Sequence, residues 1–454
     1  MDRARAGGDA TPSIPDEVGG LLTDLWHAGH AAYVVGGSLR DSLLGRPAAD
    51  WDLATSARPP QILDVFSGAV YENKFGTVAV RRDDTIYEIT TFRIDHDYAD
   101  FRRPHRVEFG DSIELDLARR DFTVNALAWG APAGDAPRLV DPFGGRADLE
   151  HGVLRAVGEA DRRFQEDALR TIRAVRLAAV LAFDIEPDTL AAMGRHADLV
   201  RHLSGERIAA ELDKLLAAPR PSVGLRLLAD SAILEHVSAE LAAQRGVSQN
   251  KIAGEDLWDH TLRAVDAAPA DRPIVRLAAL LHDIGKPATA ADGHFIGHER
   301  VGAEMAEALL IRLHYPRTVI DRVVELVRQH MFAYEPEWTD TAVRRFIGKV
   351  GVDVLPELFE LRRADNIGSG REPDASRLDE LRRRVEEQLA ARVALDRSGL
   401  AIDGDDLMRE LDLEQGPRVG RVLAALLDRV MDDPTLNDRP TLLMLARSMI
   451  DVGQ

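Results

Sequence analysis

Cysteine is missing from all 454 residues. Its absence excludes disulfides and thiolate metal sites, so any metal must sit on His, Asp and Glu, and it fits a cytoplasmic enzyme. Apolar runs approaching the roughly 20 residues of a membrane span are also missing, so no membrane partner is expected. The opening from Met1 to Pro15 is polar and Gly/Ala-rich, without the apolar core of a signal peptide, and residues 1–13 read as a disordered tail. No clear repeat or low-complexity tract appears. Positive charge is not in excess either. A net charge of −19 argues against a protein that coats nucleic acid through general electrostatics, and DNA is not an expected partner. A local basic cleft for RNA stays open.

What is present, 45% hydrophobic and 29% charged residues, is enough for a sizeable core, and the length suggests about three domains. Tyr33–Gly36, Asp50–Ala54, Gly76–Arg81 and Ile86–Arg93 read as strands, being rich in Val, Ile, Thr and Tyr between turn residues. Asp141-Pro142-Phe143-Gly144-Gly145 is a turn that closes this region. From about Phe164 onward, Leu/Ala/Arg/Glu-rich segments with helical spacing take over, with breaks near Arg245–Glu255, Ala288–Gly297 and Gly368–Ala375. The expected fold class is α+β. A mixed-sheet head at 14–146 precedes an all-helical neck or body at 147–245, a helical metal-binding domain at 246–370 and a helical tail at 371–454.

The chemistry-bearing stretch of the head is Val35-Gly36-Gly37-Ser38-Leu39-Arg40-Asp41, followed closely by Asp50-Trp51-Asp52. A Gly-Gly turn after an apolar strand lets a polyphosphate approach the backbone, and Arg40 can add charge. Asp50 and Asp52, two apart on a strand, would share one face while Trp51 takes the other. Paired carboxylates beside a phosphate-binding turn suit Mg²⁺-dependent nucleotide transfer. Glu88, in Tyr87-Glu88-Ile89-Thr90-Thr91, could lie beside that strand as a third carboxylate, or pair with Arg93 at a sheet edge. Asp41 is expected to orient Arg40 or cap a helix.

Arg119-Arg120-Asp121-Phe122-Thr123-Val124-Asn125 and Glu166-Asp167-Ala168-Leu169-Arg170-Thr171-Ile172-Arg173-Ala174-Val175-Arg176 follow in order. Together with the first motifs they resemble the class II tRNA nucleotidyltransferase/poly(A) polymerase family, over about Ala32 to Leu216. The resemblance implies a polymerase beta-like nucleotidyltransferase head. It implies that Gly37 and Arg40 contact phosphates, that Asp50 and Asp52 hold Mg²⁺, and that Arg120 joins the nucleotide-binding set. Asp167 and Arg170 match the pair that reads the base edge of CTP or ATP, and Arg173 and Arg176 match further nucleotide contacts. On one helix, residues three apart drift about 60° per step, so Arg176 would point nearly opposite Asp167 and serve phosphate or structure.

The implied reaction is attack of an RNA 3′-hydroxyl on the α-phosphate of CTP or ATP, with Asp50, Asp52 and Glu88 as catalytic carboxylates. The implied partner is the acceptor arm of tRNA. Full CCA addition leads; poly(A) synthesis, and CC-only or A-only addition, remain open. Arg195, His196, Arg201, His202 and Arg207, on the stretch Arg195–Lys214, are candidates for the tRNA backbone.

In the helical half, His260, His282-Asp283 and Asp365 form a sequence of metal-ligand types, with His282-Asp283 ending the apolar run Val275–Leu281. This order resembles the HD phosphohydrolase superfamily, which implies a divalent metal on those residues. His298 and His330 stand where dinuclear members carry further ligands. Imidazole and carboxylate without thiolate suit Mn²⁺, Mg²⁺, Fe, Co or Ni. Lys286 would hold phosphate or cap a helix. A hydrolase that uses the head only to bind tRNA is the alternative of another class.

Overall fold

The computed structural model describes residues 11–48, 50–71, 76–98, 104–249, 251–375, 377–391 and 393–451. Most of the expected tail lies outside them, but Pro12 is buried and the Ser13 carbonyl accepts a hydrogen bond from Ser42 at 2.9 Å. The chain divides into two compact units, Met1–Ala242 with Arg312–His314, and Ala243–Ile311 with Tyr315–Gln454.

In the first unit a seven-stranded mixed sheet is built from β1 (Ala32–Val35), β2 (Asp52–Thr55), β3 (Val70–Tyr71), β4 (Thr77–Arg82), β5 (Thr85–Thr91), β8 (Ala128–Ala131) and β9 (Arg138–Val140). Its order is β3-β4-β5-β2-β1-β8-β9. A separate hairpin pairs β6 (Arg93–Tyr98) with β7 (Pro104–Phe109). The expected strand Ile86–Arg93 is therefore split at Phe92. That ring is 1% exposed, in the core with Tyr33, Val35, Ala54 and Leu117. The anchored ring turns the chain from one sheet to the other. Register positions the chemistry. β1 runs antiparallel to β2 with Val35 opposite Asp52, and β2 runs parallel to β5 with Asp52 opposite Glu88. Opposed residues share a face, so both carboxylates stand at the end of the face whose interior is that apolar core. On the sheet's other side, the helix Asp16–His27 buries Val18, Leu21, Leu22 and Leu25.

The Tyr33–Gly36 strand ends one residue early, because Gly36 takes φ +80° and starts the helix Gly36–Leu43. A Cβ there would lie 3.1 Å from Arg120 Nη1 and 3.2 Å from Asp52 Oδ2, so strain and crowding both favour glycine. Further along, the helix Leu169–Leu181 packs against Gly205–Leu216 and Pro221–Asp230. Two short strands interrupt the helical run, β10 (Val153–Leu154) pairing parallel with β11 (Asp184–Ile185).

The second unit is helical. Leu257–Ala267, Pro273–Leu281, Arg317–Gln329 and Leu355–Gly368 pack around an apolar centre that includes Leu262, Leu277, Leu280, Leu326 and Leu361. Helices Gly404–Leu411, Pro417–Asp432 and Arg439–Asp451 form a second core on Leu407, Leu426, Val430 and Leu442. Asp403 caps the first of these in a capping box with Asp406.

Candidate active site and metal centre

A cavity of about 870 Å³ in the first unit is lined by Gly36, Gly37, Arg40, Asp50, Asp52 and Glu88, and also by Arg120, Asp167, Arg170, Arg173 and Arg176. Asp50 is not on the strand with Asp52: β2 begins at Asp52, and Asp50 belongs to the preceding segment. Both carboxylates nonetheless reach the cavity, while Trp51 is 7% exposed. Enclosure raises the Asp52 carboxyl above its usual range; Arg120 opposes the shift and Asp50 adds to it.

The arginines of the wall are held in place. Asp41 forks Arg40 at 2.9 Å through both Nε and Nη2, and Arg40 Nη1 donates to Asn125 Oδ1 at 2.7 Å. Asn125 donates in turn to Asp121 at 3.0 Å, and the other Asp121 oxygen accepts Arg173 Nε at 2.8 Å. Burial opposes charge on Asp121, but Arg173 and Asn125 hold its carboxyl far below the usual range. Asp121 in turn raises the pKa of Arg173. Arg170 is 9% exposed and spans Glu166 at 3.0 Å and the Arg119 carbonyl at 2.9 Å.

Asp167 does not ride on the long helix. It is extended at φ −148° between Ala160–Glu166 and Leu169–Leu181, and its Oδ1 accepts the Leu169 N–H at 3.0 Å. The helical-wheel separation of Arg176 from Asp167 therefore fails, because the break at Asp167 resets the angle, and the two line the same cavity. Arg176 is bound to Glu211 at 2.5 Å.

The candidate RNA-backbone residues are also committed within the unit. Arg195 and His196 both bind Asp161, at 2.7 and 2.8 Å, and Arg207 binds Asp167 at 2.8 Å. Their stretch is no single helix: it breaks into Pro187–Arg195, the 3₁₀ turn Ala197–His202 and Gly205–Leu216.

In the second unit, all six ligand-type side chains of the HD order and its extensions, His260, His282, Asp283, His298, His330 and Asp365, are buried. Asp283 lies between two histidine pairs. Its Oδ2 is 3.1 Å from Nε2 of both His260 and His282, and its Oδ1 is 3.3 Å from His298 Nε2 and 3.6 Å from His330 Nε2. Asp365 Oδ1 is 3.4 Å from His260 Nε2. The Nδ1 atoms of His282, His298 and His330 lie 2.8, 2.7 and 2.6 Å from the carbonyls of Ala279, Phe295 and Val327. A carbonyl only accepts, so those nitrogens carry the protons and, in the neutral rings, each Nε2 presents a lone pair. The lone pairs of His298 and His330 therefore face one another at 3.3 Å, an arrangement that a cation between them would satisfy, while His260 Nε2 lies 3.0 Å from His282 Nε2 and can donate to it.

Burial opposes charge on Asp283, but His282 and Lys286 hold its carboxyl well below the usual range. Gly285 permits the close approach: a Cβ there would stand 2.4 Å from the His298 carbonyl. Lys286 is no helix C-cap; it begins the turn Lys286–Thr289 and bonds Asp283 at 2.6 Å and Gln249 at 2.7 Å. A cavity of about 450 Å³ opens over Asp283, His298 and Asp365, with Lys251, Lys286 and Arg362 in its wall. Burial and the neighbouring Lys286 push the Lys251 amine down to about 8.

Residues 32–155 match the model of the poly A polymerase head domain, 182–244 that of the probable RNA- and SrmB-binding site of polymerase A, and 236–369 that of the HD domain. The CCA-adding enzyme of Streptococcus thermophilus is 35% identical over 434 residues, covering 95% of this chain and 96% of that protein. This chain belongs to the CCA-adding enzyme family. The Bacillus stearothermophilus CCA-adding enzyme, solved in complex with CTP, is 29% identical with a TM-score of 0.73, covering 97% of this chain and 99% of that one. The Thermotoga maritima CCA-adding enzyme, solved with tRNA, shares the fold at a TM-score of 0.60 and 20% identity, covering 96% and 97%.

Nucleotidyltransferase heads and HD domains generally use divalent metals. Sequence reasoning missed Asp116, Asn125 and Glu211, and did not foresee the pairing of Arg207 with Asp167. Arg207 and Glu211 are four apart on one helix face, so that i, i+4 pair of opposite charges was a readable signal. What they clamp, Asp167 and Arg176, was not.

Proposed function

We propose that this chain adds and repairs the 3′-terminal CCA of tRNA from CTP and ATP, without a template, releasing pyrophosphate. The observation that carries the reading is the register setting Asp52 opposite Glu88, beside the Gly36–Gly37 turn and under a wall of paired arginines. In this reading the turn's backbone N–H groups and Arg40 receive the triphosphate, and Arg120 takes a further phosphate oxygen. Asp167 and Arg170 offer an acceptor and a donor fork to the base edge, and Arg173 and Arg176 complete the nucleotide pocket. The RNA 3′-hydroxyl attacks the α-phosphate in line, a P–O bond to the new residue forms, and the bond to pyrophosphate breaks. Asp50, Asp52 and Glu88 are oxygen donors of the type Mg²⁺ takes, and Asp50 and Asp52 would hold it, with Glu88 either completing the set or acting on the attacking hydroxyl. When bound, that ion would favour loss of the hydroxyl proton and neutralise the leaving oxygens. The same reading makes the protein cytoplasmic, where tRNA, CTP and ATP are met; no described helix is long and apolar enough to cross a membrane.

The test uses tRNA lacking its 3′ end, with CTP and ATP singly and together. A CCA end is expected. A homopolymeric A tract, or CC or A alone, would move the assignment to the corresponding relative, and no incorporation with Mg²⁺ would remove it.

A second activity, hydrolysis of a phosphoester at the HD cluster, is favoured by the converging Nε2 atoms around Asp283. His260, His282, Asp283 and Asp365 would hold one divalent ion of the Mn, Mg, Fe, Co or Ni type, and His298 and His330 a second, with Asp283 between them. The ion supplies activation of water toward phosphorus. Lys251 and Lys286 would face the phosphate. Hydrolysis of 2′,3′-cyclic nucleotides that survives Asp283→Ala would remove this activity. If hydrolysis is the sole activity found, the head serves only to bind tRNA.

A further inference from the structure

We propose that Asp116 is a positioning residue of the transferase site: its buried carboxylate holds Arg120 away from Asp52, leaving Asp52 free to take a divalent cation. Asp116 lies on the helix Ile113–Ala118 and is 1% exposed. Its Oδ1 is fully used, accepting the Arg93 N–H at 3.3 Å and Arg119 Nε and Nη2 at 3.0 and 2.8 Å. Its Oδ2 pairs with Arg120 Nη2 at 3.5 Å. That oxygen and Arg120 Nε are buried without a hydrogen bond among the described residues, so the pair is unfinished and its guanidinium has somewhere else to go.

The somewhere else is Asp52. Arg120 Nη1 and Asp52 Oδ2 converge on one point, 3.1 and 3.2 Å from where a Cβ on Gly36 would stand, yet the ion pair of Arg120 is with Asp116. A cation between two carboxylates is drawn to the one with less solvent screening, and Asp116 is the more deeply buried. Without the Asp116 charge, Asp52 is the anion within reach, and a guanidinium on Asp52 competes with any metal there.

The inference rests on Asp52 as a metal ligand, and the test separates the two. Mn²⁺ binding to the full-length, nucleotide-free protein is followed by electron paramagnetic resonance, the head site being the signal that Asp52→Asn removes. Asp116→Asn is expected to weaken head-site Mn²⁺ binding about ten-fold and to raise by a similar factor the Mg²⁺ needed for half-maximal CTP incorporation. The double variant Asp116→Asn/Arg120→Met is expected to recover the Mn²⁺ affinity, which a general loss of packing would not allow. Unchanged Mn²⁺ affinity in Asp116→Asn, or no recovery in the double variant, overturns the role of Asp116. A full Mn²⁺ signal in Asp52→Asn overturns the ligand assignment beneath it. Where Asp116→Asn does not fold, Asp116→Glu keeps the charge but moves it; an intermediate loss supports the role, and wild-type affinity overturns it.

Discussion

The two sites of this chain are built in opposite ways. In the head, Asp52 and Glu88 stand at the open end of a sheet face, and the arginines around them are held by Asp41, Asn125, Asp121, Glu166 and Glu211. In the HD cluster the ligands come from helix ends and interiors and are buried, and His282, His298 and His330 have their second nitrogens fixed by backbone carbonyls. The head must admit a triphosphate and an RNA end and so keeps its carboxylates wet, relying on a second layer of ion pairs for geometry. The HD cluster gathers its donors within reach of one cation.

The sharpest way to break the comparison is to delete one carboxylate from each site. Asp52→Asn should lower CTP and ATP incorporation by about a thousand-fold or more while leaving phosphoester hydrolysis intact. Asp283→Ala should do the reverse, cutting metal uptake at the HD cluster by about a hundred-fold, read by equilibrium dialysis, with incorporation kept. A variant that silences both activities would mean that the sites are not independent.

The next effect is steric. Gly36→Ala places a Cβ at φ +80° against Arg120 and Asp52, a strain of about 1–2 kcal/mol. Incorporation should fall by roughly ten-fold with most of the loss in kcat, and a wild-type rate would show that the turn has room to spare.

A smaller loss is expected from Glu211→Gln, which leaves Arg173 and Arg176 without their shared carboxylate. About 1–3 kcal/mol of stability should go, measured by denaturant unfolding. KM for CTP and ATP should rise more than kcat falls. Equal effects would reduce Glu211 to a fold stabiliser.

The smallest effect is one of pH. Asp121 has a carboxyl held far below its usual range, so its stabilising contribution is complete above the unfolded value of about 4 and disappears as pH falls toward the folded value. The gap in Tm between wild type and Asp121→Asn should be constant near neutrality and begin to close below about pH 4. A gap that widens on acidification would contradict the ion pair with Arg173.

Much of this was legible before folding. Gly36-Gly37, Asp50, Asp52 and Glu88 announce themselves by type and spacing, and the His260, His282-Asp283, Asp365 order does so across a hundred residues. Strand ends and helix starts were less legible. Asp167 reads as helical by composition, but its carboxylate takes the Leu169 N–H and holds its own backbone extended. Phe92 reads as mid-strand, but core burial makes it the corner between two sheets. Local hydrogen bonding and burial decided both, and neither follows from propensity.

The sequence by itself determined the chemical types. Without cysteine, metal sites need His and carboxylate, and the chain carries two separated sets of those residues. Only the tertiary structure decided partnership. Nothing in the chain shows what Asp116, Asn125, Asp121, Arg207 and Glu211 pair with, yet folding assigns each to an arginine or carboxylate of the nucleotide cavity. The reason is physical. A polar pairing is set by distance and dielectric, and Arg40 meets Asn125, 85 positions away, only once β1 and β8 lie side by side and bring the helix after one against the turn before the other.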